Sequence, residues 1–575
     1  MRNSTRTARR SGGLQYNERF ETQHPRAFET MTRNFVGHSI GAVACAALLF
    51  IPAAIQSQSA HPTSRPGAAS THSPARADVA RFHARVAGIL SESHAKRASW
   101  GILIVDRDTG ATLFEMNSDH FFAPASNAKL FTTAAALATL GADYKFHTTL
   151  ESNAKLSSNG TLDGELALVG RGDPDLSNRK IPYAVGLDRE GPTERVLAEL
   201  ADAAVAAGLK EVDGDIVADD SYFPYDPYPA DWTLGDIFFR FGAPVSAIAF
   251  NENAMQVEIS PGVRMGDPAT VVTQPGAASG SFNHEVATGP ADGEPDLAVV
   301  RQPGEKFLLL RGTVPFGHAP VMLDLSMTAP AETAALALKQ LLAARGIRVH
   351  GGIRVRHAPP PETSASGEPI LTGTSQLAPQ PDRAALADHI SAPLLEAVRI
   401  TNKISQNLHA ELLLRAVGYK ALSLGSTAAG LKVERDFLRQ AGIADGDVVL
   451  SDGSGLSRED LVTPRAVVGL LQYCARQTWG EDYISTLPVA GVDGTLENRM
   501  VNTAAASRIQ AKTGEIEHAR GLSGFATTVR GERLIFSIFY NNNPQKGLES
   551  VAPIDQLAVA MVEALGTGQT STKHR

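Results

Sequence analysis

Apolar and polar positions change period several times along this chain, and each change predicts an element. WGILIVDRDTGATLFEMN (100–117) holds two β-rich runs around Asp108-Thr109-Gly110, the pattern of a hairpin. SNAKLFTTAAALATLG (126–141) then switches to an apolar helical stretch that closes on Gly141. From about 148 to 385, short β-like runs such as GELALVG and FLLLRGTV alternate with turns. One helical piece, TERVLAELADAAVAAG (193–208), stands out there, and Gly/Pro clusters near 261–295 read as surface loops. The stretch 358–383, with APPPETSASGEP and APQPDR, reads as a linker. Helical patterning returns in LLEAVRITNKISQNLHAELLLRAVG (394–418) and AAGLKVERDFLRQAG (428–442). Three β-like runs follow beyond 505, RIQAKTGEI, LSGFATTVRG and RLIFSIFYN, and then a helix, IDQLAVAMVEALG.

A hairpin start, a helical centre and a strand-rich end suit one shared sheet. The pattern therefore predicts an α/β (α+β) domain split in sequence by an inserted α+β region of one or two small domains. Residues 80–150 would form its first part, 151–384 the insertion, 385–567 its second part and 568–575 a tail.

The N-terminus changes the picture of where this domain works. Residues 36–55, VGHSIGAVACAALLFIPAAI, carry no charge; arginines precede them and small residues lead to Ala60. That profile reads residues 1–60 as an export signal, with an uncleaved membrane anchor as the open alternative. Translation from Met1 or from Met31 is also left open. Residues 61–79, rich in Ser, Pro, Ala and His, read as a flexible tether. Residues 1–60 hold seven arginines, three glutamates and no other charged residue, so removing them takes the net charge from −8 to −12. An acidic mature chain without a basic stripe argues against nucleic acid as a partner. Of the two cysteines, Cys45 lies in the apolar run, which leaves Cys474 alone and no internal disulfide.

Chemistry enters with three short patterns in order: Ser126-Asn-Ala-Lys129, Ser405-Gln-Asn407 and Lys512-Thr513-Gly514. Four Ser-x-x-Lys tetrads occur, at Ser93/Lys96, Ser126/Lys129, Ser152/Lys155 and Ser177/Lys180, so physics must choose among them. A serine needs a base, and a desolvated lysine three residues further along a helix can serve. Ser126 opens an apolar helix and meets that need, with helix-onset N–H groups available to an oxyanion. Ser152 falls in a polar turn, Ser177 follows the turn GRGDPDLS, and Ser93 lies on a polar helix end. Taken alone, Ser405 and Asn407 read as a helix cap and Lys512 as an edge-strand lysine.

Together the three patterns resemble the set shared by penicillin-binding proteins and class A β-lactamases, with Gln406 where that set has aspartate. GRGDPDLS (170–177), VADDSYF (217–223), FGAPVSAIAFNEN (241–253), LSDGSGLSRED (450–460), GVDGTLENR (491–499) and GLSGFATT (521–528) extend the resemblance. They identify the chain as resembling the D-Ala-D-Ala carboxypeptidase/endopeptidase family, the class C low-molecular-mass penicillin-binding proteins, over about residues 80–567. The long interval from Ser126 to Ser405 suits that family, whose inserted domains lie between its first two motifs.

The resemblance implies a serine β-lactamase/DD-peptidase transpeptidase-like fold in the periplasm or cell envelope. Peptidoglycan stem peptides would be the substrate, β-lactams acylating inhibitors, and no cofactor or metal would be needed. It implies Ser126 as nucleophile, Lys129 as proton acceptor, Ser405 as proton relay, and Asn407 as positioner of Lys129 and the substrate amide. Lys512 and Thr513 would take the terminal carboxylate, and Gly514 would admit the substrate's backbone. The oxyanion would lie between the N–H groups of Ser126 and Glu515. Asp219 and Asp220 are candidates for a free amino group on the substrate, against a solvated acidic turn. Asp452-Gly-Ser454-Gly and Asp493-Gly494-Thr495 read as turns, and His409 as structural. A β-lactamase or esterase on this fold, and a non-catalytic wall-binding module, stay open as rivals.

Overall fold

In a computed structural model, the protein is described over residues 76–566, apart from 93–94, 302–306, 361–369 and 371–381. The segment expected to direct export, Ser93 and most of the stretch expected to be a linker (358–383) lie outside the described residues. The chain begins with α1 (Ala77–Leu90), β1 (Ser99–Asp106) and β2 (Thr112–Met116), then a single helical turn, Ala125–Asn127, running into α2 (Ala128–Leu140). α1 starts inside the stretch expected to be tether. Phe82 and Val86 bury their side chains against the sheet, and Arg76 ties the helix start to Asp78 and Glu532 at 2.7 Å each.

The insertion carries β3 (His147–Ser152), β4 (Leu166–Val169), α3 (Arg195–Ala206), β5 (Ile216–Pro224), α4 (Pro330–Ala344), β6 (Ile353–Ala358) and β7 (Ala384–Ile390). These strands form a five-stranded sheet in the order β6-β5-β4-β3-β7. His147 on β3 and Ile390 on β7 are register partners, so the chain leaves and returns at one point. The sheet thus reaches beyond the expected limits 151 and 384, because both crossing strands pair with each other. α4 was not foreseen; its many alanines blur the apolar stripe, although Ala334, Ala335, Leu338 and Leu342 are fully buried. The stretch expected to be loops near 261–295 contains strands Thr270–Gln274 and Phe282–Gly289, each paired in its own three-stranded sheet. The local Gly and Pro residues punctuate those strands rather than prevent them.

The chain then forms α5 (Leu394–Lys403), α6 (Asn407–Leu422), α7 (Thr427–Gln440), α8 (Pro464–Cys474), β8 (Ile509–Ile516), β9 (Ala519–Thr527), β10 (Arg533–Asn541) and α9 (Gly547–Ala564). The first and last strands share one antiparallel sheet, β2-β1-β10-β9-β8. Strand alternation buries both of its faces. Leu103 and Val105 of β1 point into a core with Phe131 of α2 and Leu470 of α8, while Ile102 and Ile104 point into one with Leu557 and Met561 of α9. Each such side chain contributes about 1.5–3 kcal/mol of burial. The two long-range strand sets are thereby locked together, and β8 is left as the edge strand beside the α2 turn.

Candidate active site

Ser126 sits in the helical turn that opens α2 and is half-buried. Ala125 before it takes φ +47°, a left-handed conformation uncommon for a residue with a Cβ. Packing holds it there: a Cβ on Gly455, itself at φ +79°, would come 1.9 Å from the Ala125 carbonyl oxygen. One helical turn on, Lys129 is fully buried and its Nζ lies 2.8 Å from Ser126 Oγ. The same nitrogen donates to Asn407 Oδ1 and to the Ser454 carbonyl, both at 2.6 Å.

That arrangement has a chemical consequence. In the neutral amine, two N–H groups are spoken for by two carbonyl-type oxygens, so the lone pair is left facing the Ser126 hydroxyl. Burial lowers the Lys129 pKa to about 7, with Asp452, Glu411 and Asp460 opposing the shift through their charges. Those acids respond to the same burial: Glu411 is pushed up to about 8, and Asp460 well above the carboxylate range, each with Asp452 adding to the effect.

The second motif stands where helix breaks. Ser405 adopts φ +60° between α5 and α6, and Gln406 caps α6 by accepting from His409 N at 3.1 Å. Asn407 Nδ2 donates to the Phe241 carbonyl at 2.8 Å, which selects the amide orientation that turns Oδ1 toward Lys129. On β8, Lys512 is fully buried and its Nζ donates to Ser405 Oγ at 2.9 Å. Burial, then the neighbouring Lys129 charge, lowers its pKa well below the usual lysine range. Thr513 Oγ1 donates to Thr495 Oγ1 at 2.8 Å. Asp493, two residues before Thr495, receives Lys403 Nζ at 2.5 Å, so one loop braces both the Ser405 turn and β8.

Ser126, Lys129, Ser405, Asn407, Lys512 and Thr513 are therefore linked by direct hydrogen bonds or adjacency. Gly514 joins them with a packing role of its own. A Cβ there would meet Pro124 O and Asn127 Nδ2, each at 2.5 Å, so glycine lets β8 lie against the Ser126 turn. Glu515 follows on that edge strand with its side chain turned to Arg520 at 2.8 Å. Asp219 is not brought to this cluster. It lies buried on β5, not in a solvated turn, and receives Arg383 at 2.7 Å, Arg356 at 3.2 Å and Ser221 Oγ at 2.5 Å. Asp220, also buried there, accepts from Ser246 and contacts His357. The Ser152 hydroxyl donates to the Glu165 carbonyl while Lys155 is exposed, and Ser177 is buried.

Sequence reasoning missed three participants: the Ser454 carbonyl, Thr495, and Trp232, whose Nε1 reaches Asp452 Oδ2 at 2.8 Å from the insertion. The turn signals around 452 and 493 marked two of the loops; nothing marked Trp232. His409 is buried 3.6 Å from Glu252, and burial lowers its pKa to about 4. Among the described residues, the group with metal-holding spacing is Glu211, Asp213 and His350, and there Arg348 already pairs with Glu211.

The sequence pattern of the D-Ala-D-Ala carboxypeptidase 3 (S13) family matches residues 82–561. A D-alanyl-D-alanine carboxypeptidase of Actinomadura sp. (strain R39) is 33% identical over 512 residues, covering 86% of this chain and 88% of that protein. Penicillin binding protein 4 from Haemophilus influenzae superposes with a TM-score of 0.69 at 26% identity, covering 83% of this chain and 98% of that one. Its structure complexed with a β-lactam gives a TM-score of 0.63 at 25% identity, over the same shares of both chains.

Proposed function

This chain belongs to the D-Ala-D-Ala carboxypeptidase 3 (S13) family, and we propose how its side chains divide the work of that family's reaction. The protein is a serine-type D-alanyl-D-alanine carboxypeptidase and a penicillin-binding protein. Ser126 Oγ attacks the carbonyl carbon of the penultimate D-alanine while its proton passes to Lys129 Nζ. The C–N bond then breaks, leaving an acyl group on Ser126, and the departing amine takes a proton delivered through Ser405. Water repeats the sequence in reverse order to free the acid. Lys512 and Thr513 hold the terminal carboxylate, and the oxyanion rests on the N–H groups of Ser126 and Glu515, each donor worth about 3–4 kcal/mol of barrier.

The observation that carries this reading is the Lys129 nitrogen, 2.8 Å from Ser126 Oγ with its other two contacts occupied by carbonyl oxygens. A base with a pKa of about 7 suits proton transfer near neutral pH. The physiological substrate in this reading is a peptidoglycan stem peptide. D-alanyl cross-links present the same kind of bond, so the site also serves as an endopeptidase. The place of work is the cell envelope, reached through the apolar segment 36–55. No helix among the described residues is long and apolar enough to cross a membrane.

Intact-mass spectrometry of residues 61–575 after incubation with penicillin, followed by peptide mapping, tests the assignment. One adduct on Ser126, lost in Ser126→Ala, is expected, together with D-alanine release from a D-Ala-D-Ala peptide. An adduct on another serine, or D-alanine release by Ser126→Ala, overturns it.

A further inference from the structure

Two oxygens orient the Lys129 amine, and both are gripped from the insertion. The first is Asn407 Oδ1, whose amide is held by the carbonyl of Phe241. The second is the Ser454 carbonyl, displayed by a turn wound around the fully buried Asp452. Asp452 Oδ1 accepts from the N–H groups of Ser454 (3.1 Å) and Gly455 (2.6 Å), and Oδ2 from the N–H of Ser457 (2.8 Å). Oδ2 also accepts from the Ser454 hydroxyl at 3.3 Å and, more closely, from the Trp232 indole at 2.8 Å. Gly453 in the same turn is clasped from the catalytic side, its N–H by Glu411 at 3.0 Å and its carbonyl by Thr132 at 2.8 Å. The segment carrying Trp232 and Phe241 is pinned again between them, where Arg458 reaches Asp236 at 2.8 Å.

We propose that Trp232 and Asp452 are positioning residues through which the insertion holds the Ser454 carbonyl, and with it the Lys129 lone pair, aligned on Ser126. The inference rests on the assignment of Lys129 as the base for Ser126. An ion pair within one element would not need a donor from the insertion. Here the link crosses from residue 232 to residue 452 and meets, in the same segment, the carbonyl that orients Asn407. The insertion thus completes the base rather than merely sitting beside it.

Charge gives the link a signature that loss of shape alone does not produce. The groups facing Lys129 are Ser126, Asn407 and Glu411 of α6, Asp452 and Asp460 of the turn region, and Lys512 of β8. The negative charge of Asp452 holds the lysine's proton on, and the indole N–H draws part of that charge away. Asp452→Asn removes the charge, so the acid limb of acylation, where Lys129 must lose its proton, moves to lower pH. Trp232→Phe leaves the carboxylate one donor short and strengthens its field, so the limb moves to higher pH.

The test measures acylation of the full mature chain by a chromogenic β-lactam from pH 5 to 9, beside the thermal midpoint of each variant. Trp232→Phe is expected to lower the limiting acylation rate about tenfold with little change in half-saturating concentration, and to move the limb up by about half a unit. Asp452→Asn is expected to move it down. Should Asp452→Asn fail to fold, Trp232→Phe decides alone. Wild-type rate and limb in Trp232→Phe overturn the proposal, as does an Asp452→Asn enzyme that is slower with its limb unmoved. Failure of the wild-type protein to acylate at all is a different result, and it removes the assignment of Ser126 instead.

Discussion

The catalytic sheet and the inserted sheet each bury ionisable side chains, and they treat them in opposite ways. Around β8 and α2, Lys129 and Lys512 are fully buried among hydroxyls and carbonyl oxygens, with no carboxylate among the described residues in direct contact. Their protons are loosened, and their pKa values fall. In the insertion, Glu252 is fully buried under Arg179, Arg189 (2.9 Å) and Arg240 (3.1 Å), and Asp219 under Arg383 and Arg356. Burial pushes each of those carboxyls up, but for Glu252 the arginine charges, and for Asp219 the Ser221 hydroxyl with Arg383, more than offset it. A buried charge matched by opposite charge is fixed and structural. A buried amine matched only by neutral acceptors is poised to exchange its proton.

The largest effect is expected from Lys129→Ala. Acylation by penicillin should fall roughly 10²–10⁴-fold with an unchanged thermal midpoint; a near-normal rate would remove Lys129 from the chemistry. Glu252→Gln should do the converse. Three guanidinium groups would face a neutral amide, which costs about 3–5 kcal/mol, read by urea unfolding, while protein kept folded at low temperature still labels on Ser126.

Asp219→Asn is the milder form of that test, at about 1–3 kcal/mol. Because the folded pKa of Asp219 is depressed, its contribution is present above the unfolded value and lost as pH falls through the folded one. The mutant's deficit should therefore shrink in acid. Its D-alanine release should stay within about twofold of wild type; a large loss without destabilisation would restore Asp219 as a substrate contact. The remaining expectation concerns wild type itself. Acylation should rise roughly tenfold from pH 6 to pH 8 as Lys129 loses its proton, a limb that Asp219→Asn leaves in place.

Several of these features were legible in the residues. The Ser126-x-x-Lys129 spacing on an apolar helix, the break at Ser405-Gln406-Asn407, the Lys512-Thr513-Gly514 strand and the split sheet are all local patterns. Local patterns survive in sequence because helix and strand periodicity and turn residues act over a few positions. α4 was harder to see, because alanine is apolar enough to be buried and small enough to leave no clear stripe.

What the sequence could not reveal is which distant groups meet. Asp219 and Asp220 read as an exposed acidic turn until Arg383 and Arg356, more than a hundred positions away, arrive beside the first. Gly514 reads as room for substrate, and the fold adds that the Pro124 carbonyl lies against it. Trp232 carries no signal at all until its indole reaches Asp452. The Ser126/Lys129 spacing and the elements that carry the pair were settled by sequence, since those depend on spacing along one strand or helix. Tertiary structure alone decided whether each buried charge found a counter-charge or only neutral oxygens. Desolvation and partner distance are properties of the assembled core, and they separate a structural ion pair from a base ready to take a proton.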